Sequence, residues 1–175
     1  MALYHFSIRH VSRGKGQMVV ASAAYISGQR IFDSYYNKIH DYTSKSGVVF
    51  TEILTPEYVP ERLTDRETLW NEVEHVERNN KAQLAYSFDI ALQNELTLEE
   101  NIRLAKEFCQ EQFVARGMIV DLAVHEGKSD NEEEPDNPHF HVLVPIRPFT
   151  EEGIWGNEQR REYILDEDGN RVNGH

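Results

Sequence analysis

Residues 83–92 alternate strictly. Gln83, Ala85, Ser87, Asp89 and Ala91 fall on one side, and Leu84, Tyr86, Phe88, Ile90 and Leu92 on the other. A period of two is a strand period, and one apolar side against one largely polar side describes a strand with only one face packed on a core. Residues 3–10 repeat the pattern, with Leu3, His5, Ser7 and Arg9 opposite Tyr4, Phe6, Ile8 and His10. Three further runs, 48–54 (VVFTEIL), 118–125 (MIVDLAVH) and 139–146 (HFHVLVPI), read as strands. Such strands demand a sheet that is open on one side.

The segments between them supply the cover. Residues 18–28 predict a short helix of small residues closed by Gly28. Residues 64–80 predict a helix with Thr64 as N-cap, Glu67 completing a capping box and Leu69, Val73 and Val76 facing inward. Residues 97–115 predict another, started by Thr97 and Glu100 and stopped before Gly117. Residues 29–47 read as irregular, Pro56 and Pro60 mark a loop, 126–138 form an acidic loop, and DEDG at 166–169 marks a hairpin turn. The order β, α, β, α, β, α, β, β predicts an α+β domain: an antiparallel sheet covered by helices.

At 175 residues the chain is expected to form one domain over 1–175, and its polar end at Asn173-Gly174-His175 suggests a piece of a longer protein. No apolar stretch approaches a membrane span and no secretory segment opens the chain, so a bacterial-type cytoplasm is expected. Cys109 is the only cysteine, which excludes an internal disulfide and a cysteine metal site, and it reads as a core filler. The net charge of −12 argues against nucleic acid when taken whole. It is unevenly spread: residues 1–50 carry six Lys/Arg and two acids, about +4, leaving 12 basic and 28 acidic residues in 51–175. That asymmetry hints at a local anion-binding face.

His139 and His141 lie two apart on a predicted strand and so share a face, and His125 ends the preceding strand. If those strands form a hairpin, three imidazoles converge into a site for Zn, Mn, Fe, Co or Ni, or for Mg when a phosphate supplies oxygens. A His-x-His pair is also something an ordinary strand shows. Asp89, on the polar side of its strand, is placed either to orient a ligand imidazole or simply to face solvent. Among the eight tyrosines, Tyr25 has the most permissive surroundings: Ala21, Ser22, Ala23, Ala24, Ser27 and Gly28, after the basic loop Ser12–Gly16. Composition alone equally makes it an ordinary aromatic, and Tyr35, Tyr36 and Tyr42 compete with it.

These residues carry a resemblance. The opening MALYHFSIRHVSRGKGQMVVASAAYISGQRI resembles the start of MobA/MobL-type (MobQ-class) relaxases, in which a strand, a basic loop and an Ala-rich helix bear the nucleophilic tyrosine. GMIVDLAVHEG followed by NPHFHVLVPIRP looks like the family's histidine–hydrophobic–histidine metal motif. LWNEVEHVERNNKAQLAYSFDIALQNELT is similar to its helix–strand unit. GIWGNEQRREYILDEDGNRV is similar to the stretch downstream of the metal motif in Gram-positive members, so the likeness covers essentially the whole chain. It departs at Ser87, where family members often carry a Glu; Asp89 matches a second acidic position present in some of them.

The resemblance implies an HUH-endonuclease/relaxase-like fold with a permuted ferredoxin/RRM-like core and a DNA cleft over the sheet. It implies Tyr25 as nucleophile and His125, His139 and His141 as ligands of a divalent metal, Mn2+ or Mg2+, with Asp89 orienting a histidine. The activity implied is strand-specific nicking at a plasmid origin of transfer, giving a 5′-phosphotyrosyl link and a free 3′-OH that can later rejoin the strand. Arg9, Arg13, Lys15 and Arg30 are candidate phosphate contacts, and Tyr35, Tyr36 and Trp155 candidate stacking platforms. The partners implied are single-stranded or hairpin DNA at the origin, accessory relaxosome proteins and a coupling protein, with no membrane insertion. A rolling-circle replication initiator shares this chemistry but usually places its tyrosine after the histidine motif, whereas Tyr25 precedes it. A DNA-binding module without activity is the non-enzymatic alternative. A calcium loop at DEDGN lacks the later ligands.

Overall fold

Seven strands and three helices follow one another in a computed structural model that describes residues 5–157 apart from 132 and 134. The strands are β1 (Phe6–Ser12), β2 (Arg30–Asp33), β3 (Lys38–Asp41), β4 (Val48–Leu54), β5 (Gln83–Ala91), β6 (Val120–His125) and β7 (His139–Pro145). The helices are α1 (Val19–Ser27), α2 (Arg66–Val76) and α3 (Leu98–Gln112). Five strands form one sheet in the order β1-β5-β7-β6-β4, with every neighbouring pair antiparallel, and β2 and β3 form a separate hairpin. The expected α+β sheet-and-helix architecture is therefore present. The hairpin expected around 166–169 lies outside the described residues.

The β6–β7 connection is a hairpin, whereas α3 carries the chain from β5 across to β6 and leaves a gap that β7 fills. The central strands are thus β5, β7 and β6, the three that hold Asp89, the histidine pair and His125.

The two sides of the sheet are packed differently because side chains alternate. On one side, Leu122, Val124, Phe140, Val142 and Val144 form a core with Ala105 and Cys109 of α3, all nearly or fully buried. Burial pushes the Cys109 thiol up to about 12, in keeping with its expected role as filler. On the other side, Ala85, Ala123 and Leu143 meet Val19, Val20, Ala23 and Ala24 of α1 and Leu69, Trp70 and Val73 of α2. Small residues on α1 let it lie close to the sheet, and the rest of that face is left as an open cleft.

Three local expectations are corrected. Residues 29–47 contain the β2–β3 hairpin, turned through Asn37 at φ 50°. Its four-residue strands are too short to display a period. Helix α2 begins after Asp65, whose carboxylate accepts the Thr68 amide at 2.8 Å. Thr64 instead ends a 3-10 turn, its hydroxyl donating to Glu61 O at 2.7 Å, and Glu67 accepts the Phe32 amide of the hairpin at 2.8 Å. The Thr97–Glu100 capping box of α3 forms as expected. Among the described residues, no helix is long and apolar enough to cross a membrane.

Candidate metal and nucleophile site

The register of the central strands brings the three histidines together. His125 on β6 stands directly opposite His139 on β7, and His141 follows two residues on, on the same face. Their ring centroids are 4.6–5.2 Å apart, and one ring nitrogen from each lies within 4.8 Å of the others.

Two of the rings are held by backbone carbonyls. His125 Nε2 is 2.7 Å from Ile26 O, and His139 Nδ1 is 2.7 Å from Asn137 O. A carbonyl only accepts, so each of those nitrogens carries the hydrogen, and His125 Nδ1 and His139 Nε2 keep their lone pairs. Burial lowers the pKa of His125, and it lowers that of His141 to about 4. Those two imidazoles are therefore neutral at physiological pH. Three convergent imidazole donors, two with their tautomer set by an outer hydrogen bond, fit a divalent transition-type cation.

The carbonyls depend on local backbone that periodicity does not reveal. Asn137 is held by its own amide, which donates to Gly127 O at 2.8 Å across the neck of the acidic loop. Gly127 has φ +56°, and a Cβ there would lie 1.9 Å from Asn137 O. Only glycine permits that approach. Gly127 and Asn137 are thus supporting residues that pattern reading misses, although a glycine two positions past His125, the end of β6, is a usable signal.

Ile26 is the residue after Tyr25, so one hydrogen bond ties the histidine cluster to the helix that carries the candidate nucleophile. Tyr25 projects from α1 and is half exposed. A cleft of about 400 Å³ is lined by Tyr25, Tyr42, Arg9, Asp89, His141 and Ser7 among others. The polar face read from alternation is the floor of this cleft. Ser7 Oγ there is buried and has no hydrogen-bond partner among the described residues. A larger depression lies along the outer face of α3, lined by Glu99, Glu107 and Lys106, and holds none of this chemistry.

Asp89 stands opposite His141 on one side and Ser7 on the other. Its charge favours protonated His141 and partly opposes the effect of burial, but no hydrogen bond joins it to an imidazole among the described residues. Ser87 faces Arg9 across the β1–β5 pair. Arg9 is exposed in the cleft and forms no ion pair among the described residues. Lys15 lies exposed on the turn that comes after β1.

Two of the candidate phosphate contacts are placed elsewhere. Arg13 is buried: its Nε and Nη2 donate to Glu74 Oε1 at 3.0 and 2.8 Å, and Nη1 and Nη2 donate to the carbonyls of Glu77, Asn79 and Glu74. Every donor group is committed, so Arg13 ties the β1 turn to α2 and has nothing left for a phosphate. Arg30 lies in a separate depression with Gln29 and Thr64–Glu67, 3.7 Å from Asp41. Trp155 is likewise engaged, stacked edge-on against Phe149 and donating to Glu72 at 2.9 Å. Tyr35 and Tyr36 pack on each other at the β2–β3 turn and are absent from the cleft lining.

Fold and site define a class: an α+β protein whose antiparallel sheet carries a cation-ready trio of imidazoles on an open face, beside a tyrosine on a covering helix. The chain belongs to the MobA/MobL family, whose model matches residues 17–175. It is 36% identical to the conjugal transfer protein TraA of Agrobacterium fabrum over 98% of this chain and 16% of that protein. It is 32% identical to the mobilization protein MobL of Acidithiobacillus ferridurans over 89% of this chain and 41% of that one. The chain thus spans less than half the length of either relative. Among solved structures it resembles one described as the molecular basis of vancomycin resistance transfer in Staphylococcus aureus. That match has TM-score 0.81 and 37% identity, covering 91% of this chain and 78% of the other.

Proposed function

We propose that this chain is the strand-nicking domain of a conjugative relaxase, which cuts single-stranded DNA at a plasmid origin of transfer and remains attached to it. The observation that carries the reading is the His125–Ile26 hydrogen bond, which fastens the three-imidazole cluster to the helix bearing Tyr25 beside one cleft. Membership of a family whose relatives are named for conjugal transfer and mobilisation supports it.

In the proposed reaction the Tyr25 oxygen attacks the scissile phosphorus. The new bond is phenolic O–P, the bond broken is P–O3′, and the phenolic proton is balanced by protonation of the departing 3′ oxygen. The product is a 5′-phosphotyrosyl ester with a free 3′-OH, and reversal rejoins the strand because the ester bond energy is kept. His125, His139 and His141 would hold Mn2+ or Mg2+, which supplies charge stabilisation at the phosphate oxygens. Asp89, opposite His141 on the neighbouring strand, contributes a negative charge beside the cluster and not a hydrogen bond to an imidazole among the described residues. Of the four candidate phosphate contacts, Arg9 and Lys15 remain to meet backbone phosphates, since cross-strand Ser87 offers Arg9 no carboxylate and none pairs with it among the described residues. The working setting is the bacterial cytoplasm, with origin DNA, accessory relaxosome proteins and a coupling protein as partners.

The test uses single-stranded oligonucleotides tiling the DNA that flanks the gene, incubated with the chain and Mn2+ and resolved on denaturing gels. The wild type yields a covalent protein–DNA adduct on one oligonucleotide, and Tyr25→Phe yields none. An adduct that persists in Tyr25→Phe defeats the assignment.

A further inference from the structure

Lys45 occupies a position that the proposed chemistry has not used. Its ammonium lies 3.5 Å from the centroid of the Tyr25 ring and donates to Tyr25 O at 3.0 Å. It is only partly exposed, and it forms no ion pair among the described residues. A cation taken partly out of water with no carboxylate to answer it is costly, and burial lowers its pKa accordingly. What it receives in return is one carbonyl and one aromatic face, both belonging to the same residue.

The loop that carries Lys45 is fixed at both ends. At one end the Tyr42 amide donates to Gln29 O, just past α1, at 3.1 Å, and the Lys45 amide donates back to Tyr42 O at 2.9 Å. At the other, Gly47 O accepts the amide of Glu126 at 3.0 Å, and Val48 pairs with His125 itself. The loop therefore runs from the end of the tyrosine helix to the histidine strand. Tyr42, on the same loop, meets the Tyr25 ring edge-on at 5.3 Å and 88°. Tyr25 is half exposed, and a tyrosine so exposed would ordinarily sample several rotamers. Here one face of its ring is held by an ammonium and another side by a second aromatic.

We infer that Lys45 is a positioning residue for the nucleophile: it locks the Tyr25 ring against its face and the Tyr25 backbone through its carbonyl, so that the phenol is presented to the cleft in one orientation. The inference rests on the proposed role of Tyr25. Cation–π attraction is strongest where the cation is partly desolvated, as it is here. Holding the attacking group in place lowers the barrier without adding affinity for DNA.

The test separates rate from binding. Lys45→Met keeps the aliphatic stem and removes the charge; Lys45→Arg restores a cation able to stack on the ring and reach the carbonyl. Single-turnover adduct formation with Mn2+ and the cleaved oligonucleotide at saturation is expected to slow roughly 10–100-fold in Lys45→Met and to recover most of that in Lys45→Arg. Oligonucleotide Kd without metal, and its salt slope, stay at the wild-type values. In metal-free protein carrying 13C-labelled tyrosine, the Tyr25 ring signal (assigned with Tyr25→Phe) loses its cross-relaxation to Tyr42 in Lys45→Met. Urea midpoints establish that each variant is folded.

A Lys45→Met variant that keeps its saturating rate but weakens Kd and flattens the salt slope makes Lys45 a phosphate contact and overturns the inference. An unchanged rate with an unchanged ring signal overturns it too. Both differ from failure of the underlying reading, in which Tyr25→Phe itself still forms the adduct.

Discussion

Arg13 stands in the basic loop before the tyrosine helix, and by position in the chain it belongs among the DNA contacts. The structure makes a different prediction for Arg13→Met. The substitution keeps the stem but deletes five N–H···O contacts of 2.7–3.0 Å. Glu74, whose side chain is 0% exposed, is left among the described residues with a single 3.4 Å contact from the Val19 amide. Removing one partner of a buried pair costs about 3–5 kcal/mol, because the other charge stays buried without an answer. Glu74 limits that cost by taking up a proton, since burial already raises its pKa. At about 2–4 °C per kcal/mol for a chain of this size, the melting temperature falls by roughly 6–20 °C.

Urea denaturation gives the free energy, and the double variant Arg13→Met with Glu74→Met recovers most of the loss, because paired removal leaves no orphan charge. Folded Arg13→Met at low temperature binds single-stranded oligonucleotide with the wild-type salt dependence. Lys15→Met, on the exposed turn, behaves the opposite way: stability changes by less than about 0.5 kcal/mol. Its log–log salt slope falls by about 0.7, as for one lost phosphate contact. If Arg13→Met instead keeps its midpoint and flattens the salt slope, the buried-pair argument is wrong.

Gly127→Ala forces a Cβ into Asn137 O and strains a φ of +56°, so the carbonyl that holds His139 must move. Mn2+ affinity measured by calorimetry is expected to drop about 10–100-fold while the urea midpoint moves far less than in Arg13→Met. Asp65→Ala removes the α2 cap and costs about 1 kcal/mol near neutral pH. The hydrogen bonds from the Thr68 hydroxyl and amide hold the Asp65 carboxyl below its ordinary value of 3.8. A lowered folded pKa means the contribution is full above 3.8 and fades as pH falls through the folded value. The gap between wild type and variant therefore narrows as pH falls below 3.8, and a gap in midpoint that is the same across the acid range as at neutral pH contradicts the cap.

The parts of this protein legible from residues alone are those governed by near-neighbour chemistry. The alternation in 83–92 sets a strand with a polar face, and the Thr97–Glu100 box sets the start of α3, because both depend only on side chains a few positions apart. The His125, His139 and His141 trio is legible as a conditional: convergence requires the β6–β7 hairpin, which supplies it. The start of α2 is misread from sequence because Thr64 and Asp65 are adjacent residues that both serve as caps, and the 3-10 turn that occupies the Thr64 hydroxyl leaves the role to Asp65, the stronger cap. The β2–β3 hairpin escapes pattern reading because strands of four residues carry too little periodicity.

Tertiary structure decided what each charge is for. Arg9, Arg13 and Lys45 all read simply as basic residues in the first 50 positions, yet one lies open in the cleft, one is consumed by Glu74, and one rests on the Tyr25 ring. The partners of Arg13 and Lys45 lie 20 to 66 positions away in the chain. Burial and pairing at those separations are properties of packing, so no local pattern encodes them.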